Sequence, residues 1–259
     1  MKYNDEIIYE TENDEIFPFK HTIKNIDKTY KYKKNNPFYK SISFLTYRFF
    51  ATPLAFIYFK MINKVKFHNK NILNKHKKGG FFIYANHTNQ FCDGFCPALI
   101  CFPKKPHIIV NPKNVSIPFI KHFTKMWGAI PLPNDIGATR NFYNTIEQTL
   151  NNNNPILIYP EAHLWPYYTK IRDFSSASFR YPIIFNKPVF TFTTIYKLKK
   201  HGKKPKIEIY VDGPFYKSNN LNEKQAQLDL RNKVHSILNE RAKLSNYEFI
   251  KYKKKEKYD

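Results

Sequence analysis

A histidine and an aspartate six residues apart, His87 and Asp93, are of the right types for proton transfer at neutral pH. Imidazole gains and loses a proton near neutrality, and a carboxylate can hold the ring and stabilise its charged form. The pair lies in Ala85-Asn86-His87-Thr88-Asn89-Gln90-Phe91-Cys92-Asp93, between the apolar runs 81–84 and 95–102. On a regular helix a six-residue step leaves two side chains about 120° apart. The two can meet only if His87 sits in a loop after a strand and Asp93 in the first turn of a helix, where the helix dipole favours an acid. Taken alone, such a stretch favours a loop histidine and a helix-starting aspartate that share no role.

Two further segments have the same layout. Ile156 to Tyr159 reads as a strand that runs into Pro160-Glu161, and Arg172 follows eleven residues after the glutamate. Trp127-Gly128-Ala129-Ile130-Pro131-Leu132-Pro133 reads as a strand leading to a turn and a helix, with Arg140 in that helix's first turns. In open α/β sheets ligands bind at the carboxyl ends of the strands. Glu161 at such an end is suited to bond a substrate hydroxyl or to fix cationic neighbours. Arg140 and Arg172 are suited to bidentate phosphate binding, with surface ion pairs as the plain alternative. All three segments follow candidate strands at the same end.

The elements that must position them are legible as a pattern. Short apolar runs at 81–84, 107–110, 129–132, 155–159, 188–195 and 206–211 read as strands, and 93–101, 117–126, 137–151 and 222–243 read as helices. The alternation predicts an α/β fold, a mixed and largely parallel sheet flanked by helices. In the last helix Ala226, Leu230, Val234, Ile237 and Leu238 recur at spacings of three and four, an amphipathic face that packs on the sheet. Ahead of this body, residues 41–59 carry one charge, Arg48, and one proline, Pro53, with Lys40, Lys60, Lys64 and Lys66 around them. A membrane-spanning helix needs about 20 apolar residues. Pro53 and Arg48 predict two short, tilted or interfacial helices instead. The division is a polar arm over 1–36, loosely packed and unlike a signal peptide, a membrane-associating segment over 37–66, a domain over 67–245 and a solvated basic tail over 246–259.

Composition narrows the choice of partner. The 259 residues suffice for one full core. The net charge of +23 suits a polyanionic partner such as anionic lipid, an acidic carrier protein or nucleic acid, although an AT-rich genome's bias toward Lys and Asn accounts for much of it. Cys92, Cys96 and Cys101 fall in one apolar run without paired spacing. They read as small buried residues rather than disulfide or zinc ligands, and no metal is expected. The chain has no Gly-x-Ser-x-Gly elbow, P-loop or Gly-x-Gly-x-x-Gly. A non-enzymatic basic protein that binds membrane surfaces or nucleic acid, with its 24 Phe and 19 Tyr stacking on bases, is the competing class.

Together the segments resemble the lysophosphatidic acid acyltransferase family, the glycerolipid acyltransferases of the PlsC type. That family's first motif is Asn-His, four residues, then Asp. Asn86, His87 and Asp93 match it with one residue more between the last two. Its second motif is similar to Gly128 to Pro133, and Tyr159-Pro160-Glu161 is similar to the first half of its Phe-Pro-Glu-Gly-Thr-Arg motif. Lys187-Pro188-Val189-Phe190 resembles its fourth. The resemblance spans residues 65–215 in the family's order, and the chain looks like a divergent bacterial branch. Ala162-His163 stands where the family has Gly-Thr, and Arg140 replaces a phosphate-binding arginine whose place is near Asn134 and Asp135.

The resemblance implies transfer of a fatty acyl group from a thioester, acyl-CoA or acyl carrier protein, to the free hydroxyl of lysophosphatidic acid. Glycerol 3-phosphate or another lysophospholipid is the alternative acceptor. It further implies His87 as general base, Asp93 as its orienting partner, and no bound cofactor. Asn86, Gly128, Arg140, Glu161 and Arg172 would bind substrate, with Gly128 near the oxyanion. The setting would be the cytoplasmic face of the cell membrane, with anionic lipids as partners and no nucleic acid.

Overall fold

A computed structural model describes residues 3–17, 22–33, 36–118 and 121–255. Seven strands form the main sheet: β2 (Lys66–His68), β3 (Phe82–Ala85), β4 (His107–Val110), β5 (Ala129–Pro131), β6 (Ile156–Ile158), β7 (Val189–Lys197) and β8 (Lys206–Phe215). Their order across the sheet is β2-β8-β7-β3-β6-β4-β5. Every pairing is parallel except β7 with β8. The α/β class and the largely parallel sheet are as the sequence predicts.

The period-2 alternation of β3 shows why both faces need cover. Phe81, Ile83 and Ala85 point into one apolar layer, with Cys92, Cys96 and Leu99 of α2 (Gln90–Ile100). Phe82 and Tyr84 point into the other, with Ile146 of α4 (Ile136–Asn151) and Leu230, Val234 and Leu238 of α6 (Glu223–Ala242). Two short helices, α3 (Lys121–Met126) and α5 (Arg180–Ile184), complete the set. The three cysteines are buried within α2 and at its end, and all are free.

The expected pair of short helices before the domain is instead one helical run, α1 (Pro37–Ile62). Pro53 does not break it, because the turns before it are wider. The Thr52 N–H bonds to the Tyr47 carbonyl, five residues back, and Thr46–Ala51 is π-helical. The i→i−5 pattern moves backbone away from the place where a proline ring and its missing N–H would otherwise disrupt the helix. Arg48 is likewise absorbed, donating from Nη2 to the Pro103 carbonyl at 2.5 Å. Only one stripe of α1 is buried, Tyr47, Ala51, Ala55 and Phe59 at a spacing of four, with Thr52 beside them. Phe38, Phe44, Phe49, Phe50, Leu54, Ile57, Met61 and Ile62 are exposed. Apolar patches of this size mark protein–protein or membrane contact surfaces.

The arm and tail also differ from expectation. β1 (Glu6–Tyr9) pairs in parallel with β9 (Lys251–Lys254) as a separate two-stranded sheet. Acid meets base along it: Glu6 pairs with Lys253, and Lys255 Nζ is 2.6 Å from Glu10 Oε1. Ile26 is fully buried, held by reciprocal bonds in which its N–H donates to Asn134 Oδ1 and the Asn134 N–H to its carbonyl. The arm is thus packed and the tail paired, because opposite charge and two edge strands from the chain's ends satisfy one another. Residues 1, 2, 18–21, 34 and 35 of the arm, residues 119 and 120 of the expected helix 117–126, and the last four residues of the tail lie outside the described residues.

The bare stripe on α1 generates a test. Phe49→Ser combined with Leu54→Ser removes apolar surface that contributes nothing to the core. The melting temperature should hold, since exposed substitutions cost about 0.5 kcal/mol or less each, while co-sedimentation with lipid vesicles should fall. A large loss of melting temperature would show that the stripe is covered within the protein.

Candidate active site

The chain leaves β3 at Ala85 and enters α2 at Gln90, and the site is built in the four residues between. Asn86 continues the β3–β7 pairing with its side chain. Nδ2 donates to the Thr194 carbonyl at 2.9 Å, and Oδ1 accepts from the Thr194 N–H at 2.8 Å. Asn89 is extended and caps α2, its side chain accepting from the Cys92 N–H. Departure from helical geometry at Asn89 is what closes the six-residue step, and His87 Nδ1 lies 2.8 Å from Asp93 Oδ2.

Asp93 is buried at the start of α2. Its Oδ2 also accepts from the backbone N–H groups of Thr88 and Asn89, at 3.0 and 2.9 Å. Burial pushes the Asp93 carboxyl above the ordinary carboxylate range, against the pull of these three bonds. With Nδ1 committed to Asp93, Nε2 is the His87 nitrogen left for a substrate proton. The imidazole is partly exposed and lines a cavity of about 420 Å³, together with Gln90, Asn111, Asn114, Tyr159, Ser175 and Ser178. None of the described residues lining that cavity is Lys or Arg.

Tyr159, which sequence reasoning passed over, positions this pair. Its ring stacks on His87 with centroids 4.3 Å apart. Its hydroxyl donates to the Asp93 carbonyl at 2.6 Å. That carbonyl is open to it because Pro97, four residues on within α2, has no N–H to give. A proline four residues after Asp93 was the available signal. Tyr196 acts from β7, its hydroxyl donating to the Thr88 carbonyl at 3.0 Å.

Glu161 and Arg172 meet, but they face inward. Glu161 Oε2 accepts from the His87 N–H and from Arg172 Nη2, both at 3.1 Å, and Oε1 accepts from the Arg172 N–H at 3.1 Å. Arg172 is 1% exposed and also donates to the carbonyls of His163 and Glu12. It stacks on Trp165, 4.6 Å from the ring. These residues therefore hold the His87 loop and are not presented to a ligand. Asn86 is likewise spent on Thr194.

Two other residues expected to bind substrate do not line the His87 cavity. Gly128 precedes β5 at the sheet's amino end, away from His87. It has φ +104° and a would-be Cβ only 3.0 Å from the Pro106 carbonyl, so it serves a tight turn. Arg140 is exposed on α4 and does not line the His87 cavity. Ala162 takes the left-handed φ of +64° that a glycine would adopt freely.

Beside the cavity runs an apolar groove of about 370 Å³ between α1 and α2, lined by Phe50, Leu54, Tyr58, Phe91, Phe95 and Trp127. Phe91 in the groove adjoins Gln90 in the cavity.

The fold is that of an α/β protein whose largely parallel sheet carries a histidine–aspartate pair at its carboxyl end, with an apolar groove along the same helix α2. A family model described as Acyltransferase matches residues 64–193, just over half of the chain, and the chain belongs to the acyltransferase family. Among solved structures its fold is similar to the 1-acyl-sn-glycerophosphate (LPA) acyltransferase, PlsC, from Thermotoga maritima. The two are 15% identical, the match covers 81% of this chain and 89% of that one, and the TM-score is 0.51. No curated protein matches the chain.

Two substitutions separate holding from chemistry. A carboxyl whose folded pKa lies above its unfolded value binds its proton more tightly when folded, so its stabilising effect is present in acid and lost as pH rises through the folded value. Asp93→Asn should therefore melt at or above the wild-type temperature at pH 7, with the difference closing below about pH 4, while acyl transfer falls steeply. A lower melting temperature at pH 7 would contradict the burial account. Glu161→Gln leaves the Arg172 charge buried without its counter-ion and should lose about 3–5 kcal/mol in chemical denaturation. A loss below about 1 kcal/mol would mean that Arg172 reaches water.

Proposed function

We propose that this acyltransferase moves a fatty acyl group from a thioester, acyl-CoA or acyl carrier protein, to the free hydroxyl of a lysophosphatidic acid-like glycerolipid at the membrane. The observation that carries the reading is His87, held by Asp93 through Nδ1, with Nε2 left for the acceptor. Nε2 takes the hydroxyl proton as the acceptor oxygen bonds to the thioester carbonyl carbon. The tetrahedral intermediate then expels the thiolate, and the imidazolium returns the proton to sulfur. Asp93 keeps Nδ1 protonated throughout and stabilises the charged ring. No covalent acyl-enzyme is needed. The groove between α1 and α2 suits an acyl chain, since its walls are aromatic and aliphatic and it begins one residue from the cavity.

The exposed stripe of α1 supports work at a membrane surface, and the net charge of +23 suits anionic lipids there. The cytoplasmic face of the cell membrane is the setting that this reading takes. A second acceptor is favoured by one observation, the absence of Lys and Arg from the described lining of the cavity. A lysophospholipid whose phosphate carries a further headgroup needs less positive charge there than lysophosphatidic acid does.

The test crosses acyl-CoA and acyl carrier protein donors with lysophosphatidic acid, glycerol 3-phosphate and lysophosphatidylethanolamine as acceptors. A general base contributes about 10²–10⁴-fold, so His87→Ala should lose that much turnover with its melting temperature retained. Wild-type turnover by that variant would end the assignment, and the preferred acceptor would decide between the two lipid readings.

A further inference from the structure

A second polar cavity, of about 430 Å³, lies at the opposite end of the sheet from His87, against the first turns of α1 and the amino ends of β4 and β5. Lys33, Lys40, Arg48 and Lys105 line it, with Lys125, which donates to the Lys31 carbonyl, as a further cation, and no Asp or Glu among the described residues does. None of the four is ion-paired among the described residues. Lys105 is drawn in by the Met126 carbonyl, 2.6 Å from Nζ, and lies 4.8 Å above the Tyr47 ring. Tyr47 and Tyr32 also line the cavity, and the hydroxyl of each is buried with no hydrogen-bond partner among the described residues. Tyr47 itself is only 7% exposed.

Buried hydroxyls without partners and clustered cations without counter-ions each cost free energy. One tetrahedral oxyanion would give the cations the counter-ion they lack, and an oxyanion is the kind of acceptor that an unpaired tyrosine hydroxyl needs. We propose that this cavity is a phosphate-binding site, filled by the headgroup phosphate of an anionic phospholipid or by phosphate free in solution. Phe38, Phe44 and Phe49 are exposed on the same turns of α1, an arrangement that suits a lipid with its phosphate in the cavity and its chains along the helix. Burial and Lys40 depress the Lys33 ammonium, and burial with Arg48 lowers Lys105 to about 8, as expected of cations gathered without an anion. The site is separate from the His87 cavity, and its success or failure does not depend on the acyl-transfer reading.

The experiment measures binding of the full chain to phosphatidylglycerol vesicles and to phosphatidylcholine vesicles, with inorganic phosphate as competitor. Lys33→Gln with Lys40→Gln should weaken phosphatidylglycerol binding by about tenfold. Lys200→Gln with Lys203→Gln, which removes equal charge from an exposed loop, should weaken it by about twofold or less. Tyr47→Phe changes no charge. It should weaken binding by about fivefold with its melting temperature unchanged or raised, whereas a hydroxyl that only fills space would leave binding as it was. Competition by millimolar phosphate would identify the free anion as the ligand, and its failure to compete would identify the headgroup. Equal losses from the two lysine pairs, together with wild-type binding by Tyr47→Phe, would overturn the proposal.

Discussion

The site depends on one carboxylate kept out of water. Glu161 accepts from the His87 backbone, the Arg172 backbone and the Arg172 guanidinium, and so ties the loop after β3 to the loop after β6. A buried ion pair of this sort adds little net stability, because desolvation offsets the attraction. Its consequence is positional. Neither loop can shift without leaving a charge unpaired in a low-dielectric interior, so the backbone that carries His87 is held in register with Trp165, whose N–H bonds to the His87 carbonyl at 3.1 Å. Arg172 extends the same restraint to the N-terminal arm through the Glu12 carbonyl.

Proline contributes to two helices by what it withholds. In α2, Pro97 leaves the Asp93 carbonyl without its helical donor, and the Tyr159 hydroxyl fills the gap while its ring supports His87. In α1, Pro53 coincides with π-helical widening that keeps the run continuous over 26 residues. Continuity matters because α1 borders two separate cavities. Its first turns border the cation-lined cavity, and its later turns form one wall of the apolar groove beside Phe91. One helix thereby sets a polar and an apolar surface in a fixed relation to the His87 site.

The charge of the chain is similarly distributed by pairing rather than by composition. The acidic first half of the arm meets cations: Glu6 and Glu10 face the tail, and Glu15 pairs with Lys113 at 2.6 Å. These exposed pairs are each worth little. Together with the β1–β9 ribbon they fasten both ends of the chain near the loops that carry the site.

The sequence by itself determined the elements and the chemistry's first pair. Short apolar runs placed β3, β4, β5, β6, β7 and β8 within a few residues of their observed bounds, and spacings of three and four identified the buried face of α6 apart from Ile237, which is not fully buried, because burial on or within a sheet leaves a local apolar pattern. The His87–Asp93 contact was legible because both residues belong to one short strand-to-helix turn. Tertiary structure alone decided the fate of the more distant residues. Arg172 and Asn86 turned inward to partners 11 and 108 residues away, and Gly128 fell at the amino end of β5 rather than the carboxyl end. The β1–β9 ribbon joins segments more than 240 residues apart. A side chain's partner across such separations is set by sheet order and helix packing, and no local spacing encodes either.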